Sequence, residues 1–263
     1  MIVAPRDAVP ALDRGIQILQ LLAELRSNGA RAREILAQTG IPPASCFRIL
    51  KKLTDSSFLQ QNMHTGRYHL GPGAMFLGFQ ARVHSPLVRA ATPVLRELSS
   101  ATHHMTELAA AIGDWQLMML ETWLSERSSL QILARPGLLF PLNHLTAPGL
   151  IHLAFDETYG RRQYVRVTNR PEGRRRMGIS HEAPAALSAE CDRARRLGYC
   201  WRKQSVGNIR LSAPVFDPSN PGRLLAAISI VCEIREFTLV RAAQWAPRLK
   251  AASEKILSNL QQA

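Results

Sequence analysis

The chain has 263 residues, 46% of them hydrophobic, which is enough to bury a core and to build two domains of unequal size, so a disordered chain is excluded. No stretch reaches the roughly 18 uninterrupted apolar residues of a membrane span, and the start, MIVAPRDAVPALDRG, lacks the long apolar run of a signal peptide; a cytoplasmic protein is expected. A formal charge of +13 suits a polyanionic partner, because each phosphate that Lys or Arg neutralises releases condensed counterions.

That charge is unevenly spread: residues 1–85 hold ten Lys/Arg against five Asp/Glu, whereas 160–203 hold twelve against four. The four cysteines, Cys46, Cys191, Cys200 and Cys232, form no CxxC pair and have no His/Cys set at zinc spacing. Reduced thiols, no metal and no cofactor are expected.

Residues 1–9 read as a disordered arm. From Ala11 to Leu25 the residues Leu12, Ile16, Leu19, Leu22 and Ala23 recur at helical spacing and point to an inward face, and Ser27-Asn28-Gly29 ends the run. A short bracing helix follows over about Ala32–Thr39, with Ile35 and Leu36 inward and Gly40 at the left-handed C-terminal position. From Pro43 to about Asp55, Cys46, Ile49, Leu50 and Leu53 stand at i, i+3, i+4 and i+7. The opposite side carries Ala44, Arg48, Lys51 and Lys52, with Ser45 at its flank. Small residues at the start let the backbone approach a groove, and Arg48 one turn later can donate twice to a guanine edge. The segment predicts a recognition helix.

Two extended runs, Phe58–Gln61 and Arg67–Leu70, joined by Asn62-Met63-His64-Thr65-Gly66, predict a β-hairpin. Directly after a recognition helix it reads as a wing, with Thr65, Arg67 and the turn backbone reaching phosphate or the minor groove. A basic helix face alone is usually a solvated face; the order of helix, short helix, basic helix and hairpin within some 60 residues is what points to duplex DNA.

The stretches ALDRGIQILQLLAE, TGIPPASCFRILKKL and TGRYHLGPGAMFLG resemble the N-terminal pattern of the IclR family of transcriptional regulators. Pro43 and Ala44 stand where that family more often has a polar pair, and Phe47 replaces a frequent His and is expected to pack. The predicted organisation is a winged helix-turn-helix over 1–72, a linker helix over 73–85 and an effector-binding domain over 86–263. The linker carries Met75, Phe76, Leu77, Phe79 and Val83, which suit self-association, as a homodimer or tetramer, as well as packing on their own domain.

Ser85-Pro86 makes an N-cap and first position for another helix, with Leu87, Ala91, Val94, Leu95 and Leu98 inward and Pro93 as a kink. Thr106–Ile112, Gln116–Glu121, Ser128–Ala134, Ile209–Phe216 and Leu224–Val231 read as strands, separated by helices near 145–160 and 184–198. The fold class is α+β in two domains, and the resemblance implies that the second is an antiparallel sheet with flanking helices, similar to GAF and PAS sensors.

His144-Leu145-Thr146-Ala147-Pro148-Gly149 looks like the family's H-x-T-A-x-G loop entering a helix, and Gly207–Val215 with Ala226–Val231 like the strand pair that lines its pocket. The effector positions that the resemblance implies read Thr146, Ala147, Cys200, Arg210, Ser229 and Val231 here. Several polar contacts of members that bind small oxo-acids are changed, so a glyoxylate-like effector is not expected. Arg210, facing a cavity, would be a buried cation that needs a carboxylate and would point to a carboxylate ligand with an apolar body; facing solvent, it says nothing. LLFPLNHLTAPGLIHLAF and RARRLGYCW look similar to members that control phenylpropionate and hydroxyphenylpropionate breakdown. Trp115, Trp123 and Phe140 are either walls for an aromatic acid or plain packing.

Arg174-Arg175-Arg176 reads as solvated charge, an extension of the DNA footprint or a dock for an acidic partner. His103-His104 and His181-Glu182 lack a third ligand at useful spacing. No GxSxG elbow, phosphate loop or HExxH helix is present, so no enzyme is expected. The leading reading is a DNA-binding regulator of a catabolic operon, controlled by an aromatic or other carboxylic acid. The alternative is a non-catalytic sensor or scaffold whose winged helix and Arg-rich loop bind protein.

Overall fold

The computed structural model describes residues 9–25, 28–113, 115–126, 135–156, 161–176, 178–179, 186–204 and 207–262. The expected strand over Ser128–Ala134 lies outside them, as do the His181-Glu182 pair and most of the N-terminal arm. Two compact units divide the chain at His84 and Ser85.

The first unit runs α1 (Pro10–Glu24), β1 (Ala30–Arg31), α2 (Ala32–Thr39), α3 (Pro43–Asp55), β2 (Leu59–Gln61), β3 (Arg67–Leu70) and α4 (Pro72–His84). Its antiparallel sheet has the order β1-β3-β2. The core is Ile18, Leu22, Ala30, Ile35, Ile41, Cys46, Leu50 and Leu59. On α1 this departs from expectation: Ile18 is fully buried, while Leu12 and Ile16 are 59% and 44% exposed. With Leu19, Ile49, Leu53 and Phe58 they border an open apolar groove between α1 and α3. Gly40 caps α2 at φ +65°, where a side chain would be strained, and its N–H bonds the Leu36 carbonyl.

The second unit runs α5 (Pro86–Thr102), β4 (Met105–Ile112), β5 (Gln116–Trp123), β6 (Leu139–Pro141), α6 (Ala147–Phe155), α7 (Arg161–Thr168), α8 (Pro171–Arg176), α9 (Leu187–Leu197), β7 (Cys200–Lys203), β8 (Asn208–Asp217), β9 (Asn220–Glu233), a 3-10 turn (Ile234–Glu236) and α10 (Leu239–Gln261). Among the described residues the strands form one antiparallel sheet in the order β6-β5-β4-β9-β8-β7. Strands β6 and β7 were not expected, being short runs with no clear alternation.

Alternation along β8 and β9 sends two residue sets to opposite faces. Leu108, Ile209, Leu211, Ala213, Ile228 and Ile230 pack against α5 and α10, where Ala91, Val94, Leu95, Trp245, Leu249 and Ile256 close one core. Leu117 and Ala227 face α6 and α9, packing with Leu150, Ile151, Leu187, Cys191 and Ala194. Ser85 caps α5 by accepting from the Val88 N–H, and Pro93 sits inside the helix. Trp123 packs on the α5–α10 side with Arg96 over its ring at 5.1 Å, which removes it from the opposite face.

Candidate DNA-reading helix and effector face

On α3, Cys46 and Leu50 are buried and hold the helix against α1 and α2, which turns Ala44, Arg48, Lys51 and Lys52 to solvent. Ser45 is half-buried and accepts a 3.4 Å hydrogen bond from Arg14. Lys51 meets Asp55 at 2.9 Å, an exposed pair of little energetic weight. Phe47 is 54% exposed on the same side and packs into no core, contrary to the expectation from sequence. It adds a ring able to contact a thymine methyl.

The wing is closed by its own backbone. The Asn62 side chain accepts from the His64 and Thr65 N–H groups, Gly66 takes φ +67°, and the exposed Thr65 gives its carbonyl to Arg31 Nε at 3.0 Å. Arg67 is engaged within its own unit. Its guanidinium donates to both Glu34 oxygens, at 3.0 and 3.3 Å, and to the Gly29 carbonyl at 3.1 Å. A side chain so engaged braces the wing on α2. The Arg31 N–H, first among the causes, together with Arg67 holds the Glu34 carboxyl below its usual pKa.

In the second unit the loop before α6 is pinned from several sides. The Asn143 side chain accepts from the Leu145 N–H at 3.0 Å; the His144 ring meets the Tyr164 hydroxyl at 2.7 Å; Arg202 donates to the His144 carbonyl at 3.1 Å while holding Glu190 at 2.8 Å. Thr146 caps α6 by accepting from the Gly149 N–H at 3.1 Å. A Cβ on Gly149 would lie 2.0 Å from the Asn143 carbonyl, so this entry admits only glycine.

Facing α6, register brings the implied effector residues onto one sheet face. Cys200 pairs with Ser212, Ser212 with Ser229, and Ser229 with Glu107, forming a polar row across β7, β8, β9 and β4. The Ser212 and Ser229 hydroxyls meet at 2.8 Å, and the Cys200 thiol donates to the Ala147 carbonyl at 3.4 Å. Burial pushes that thiol up to about 12, leaving it protonated and unreactive. The neighbouring row is Arg210, Val231 and Met105. Val231 packs with Met105, Ala109 and Met119, with half-buried Leu138 and Phe140 against them.

Arg210 does not face open solvent, and the carboxylate it needs is its own protein's. It reaches diagonally over β9 to Glu107, Nε to Oε2 at 2.9 Å and Nη2 to Oε1 at 3.2 Å, with Glu107 fully buried. Burial alone would lower the arginine pKa, but the charge and hydrogen bonds of Glu107 outweigh it and the net shift is upward. No described residue accepts from Nη1. Glu107 and Ser212 were missed in sequence, where the signal was an acid inside the apolar run MTELAAAI.

Elsewhere, Arg174 donates to the Thr168 carbonyl at 2.9 Å, a cap on α7 and not a free charge. His104 is buried edge-on to Trp245. Among the described residues no cluster of His, Cys, Asp or Glu is able to hold a metal, the four cysteines are free and buried, and no helix is long and apolar enough to cross a membrane.

Comparison with known proteins matches residues 79–258 to the family described as bacterial transcriptional regulator IclR C-terminal, and residues 11–62 to the IclR helix-turn-helix domain. The HTH-type transcriptional repressor AllR of Escherichia coli (strain K12) is 28% identical over 232 residues, covering 84% of this chain and 79% of the repressor. An IclR transcriptional regulator from Alicyclobacillus acidocaldarius shares the fold with a TM-score of 0.78 at 20% identity, over 96% of this chain and 99% of that one. An IclR homologue from Microbacterium hydrocarbonoxydans, solved in complex with 4-hydroxybenzoate, does so with a TM-score of 0.69 at 19% identity, over 96% and 100%. With the winged helix-turn-helix and the helix-flanked antiparallel sheet both in place, the chain belongs to the IclR family of transcriptional regulators.

Proposed function

We propose that this regulator binds operator DNA through the outer face of α3 and the wing as a homo-oligomer, and that a carboxylic acid with an apolar, aromatic body controls its operator affinity. The observation that carries the DNA reading is the outward set Ala44, Phe47, Arg48, Lys51 and Lys52: small residues first, a base-reading arginine one turn on, cations behind. For the effector, Arg210 is already neutralised by Glu107 yet its Nη1 meets no acceptor among the described residues, and it shares a sheet face with the Ser212–Ser229 pair, a fitting anchor for one carboxylate oxygen. Val231, the cross-strand neighbour of Arg210, opens an apolar cluster with Met119 and Phe140. The 4-hydroxybenzoate complex of the Microbacterium homologue supports an aromatic acid here.

A second copy of the chain is the fitting cover for α4. Its Met75, Phe76 and Phe79 are 74%, 60% and 59% exposed, and none of its residues is buried. A symmetric pair of reading heads would select a palindromic operator.

Control is by linkage: the acid changes DNA affinity only by the difference in its affinity for the two arrangements of the heads. The test is fluorescence anisotropy with the DNA upstream of the adjacent genes, titrated with salt and then with 4-hydroxybenzoate and 3-phenylpropionate. Affinity that falls steeply with salt and shifts with an acid is expected. An affinity indifferent to salt overturns the DNA reading, and indifference to every acid overturns the effector reading.

A further inference from the structure

His152 lies at the sixth position of α6, and the helix residues on either side of it, Leu150, Ile151, Leu153 and Ala154, all belong to the apolar core. It is only 2% exposed, and although the Ala109 carbonyl lies close to the ring, neither Nδ1 nor Nε2 makes a well-formed hydrogen bond to any described residue. An unsatisfied buried ring is costly, and native interiors seldom keep one without a use. Burial pushes its pKa down to about 4, with Asp156 and the nearby Ala109 carbonyl only partly opposing. The ring is therefore neutral near pH 7, offering one N–H donor and one lone pair.

Its nearness to Ala109 relates it to the polar row through the register of β4. Ala109, beside His152, shares the inner face of β4 with Met105 and Glu107, and it packs with Met105, Met119 and Val231. Along β4, Ala109 beside His152 stands two residues from Glu107 and four from Met105. At about 3.3 Å per residue the offset is roughly 7–13 Å, which one substituted ring spans with a hydrogen bond at each end. The surface between is apolar, and its methionines are flexible enough to repack around a guest.

We propose that His152 is a specificity-determining contact of the effector site, reading a neutral hydrogen-bonding substituent, a hydroxyl or carbonyl, at the end of the acid opposite its carboxylate. The proposal rests on the carboxylate reading above. It narrows the class from aromatic acids to hydroxylated or oxo-substituted ones, because an acid with no polar far end leaves the ring as unsatisfied as before. A site built around such a contact discriminates by the loss of it.

The test is isothermal titration of the full chain with two probe pairs, 4-hydroxybenzoate against benzoate and 3-(4-hydroxyphenyl)propionate against 3-phenylpropionate. Wild type is expected to prefer the hydroxylated member of at least one pair by roughly tenfold or more. His152→Leu should abolish that preference by weakening the hydroxy acid only, and His152→Gln, which keeps a donor and an acceptor, should restore part of it. Circular dichroism confirms that each variant is folded. A preference that survives intact in a folded His152→Leu, or wild type binding both members equally, overturns the role of His152 alone. Wild type binding none of the four acids overturns the aromatic-acid reading and this inference with it.

Discussion

Arg210 on β8 and Glu107 on β4 are joined by two hydrogen bonds across an intervening strand, and the carboxylate has no contact with water. The pair sits where the sequence left Arg210 either as a buried cation in need of a carboxylate or as a solvent-facing side chain. Arg210→Met leaves Glu107 buried and unpaired, and the expected cost is about 3–5 kcal/mol. In thermal unfolding that is a drop of roughly 6–20 °C. Combining it with Glu107→Gln should recover much of the loss; a single variant that melts like wild type would show that the pair is not closed in solution.

The wing offers a contrast between a brace and a phosphate contact. Arg67→Ala should lower the melting temperature of the first unit and weaken operator binding without altering its salt dependence. Lys52→Ala should leave the melt alone and reduce the slope of log affinity against log salt by about one. The opposite pairing of effects would restore Arg67 to the DNA surface.

On α3, Arg48→Ala should cost roughly 1–3 kcal/mol of operator affinity and relax the preference at one base pair. Phe47→Ala should give a smaller loss, confined to a thymine-bearing position, since its ring is half in solvent and supports no core. Binding to an arrayed set of operator variants separates the two. An Arg48→Ala protein with the wild-type base preference would take that residue out of recognition.

Oligomerisation should hinge on α4. Phe76→Glu with Phe79→Glu places charge on an exposed face of the first unit, so monomers in sedimentation and a large loss of operator affinity are expected with the fold intact. Unaltered sedimentation would assign that face to something other than a second copy.

Acid sensitivity follows from His152. The unfolded chain takes up a proton near pH 6.5 and the folded one only near 4, so between these values the unfolded state binds more protons. Stability from this residue is complete above about pH 6.5 and is lost as pH falls toward 4, by about 3 kcal/mol in all. His104 and His144, both lowered by burial, act in the same direction. The melting temperature of His152→Leu should therefore fall less than that of wild type between pH 7 and pH 4.5; parallel declines would place the ring in contact with water.

Local pattern was enough for most elements. The 3.6-residue spacing of Cys46, Leu50 and Leu53, the turn chemistry of Asn62 and Gly66, and the cap at Ser85-Pro86 each act over a few residues, so α3, the wing and α5 were legible from the chain alone. The family motifs likewise marked Thr146, Ala147, Cys200 and Ser229 without saying what would surround them. Only the tertiary structure paired Arg210 with Glu107, 103 positions away, tied Arg67 to Glu34, and buried His152 without a well-formed hydrogen bond among the described residues. Those outcomes depend on strand register and on which helix covers which face, and long-range pairing leaves no periodicity in the sequence. A charged residue reads the same beforehand whether its partner is a phosphate, a ligand or its own fold.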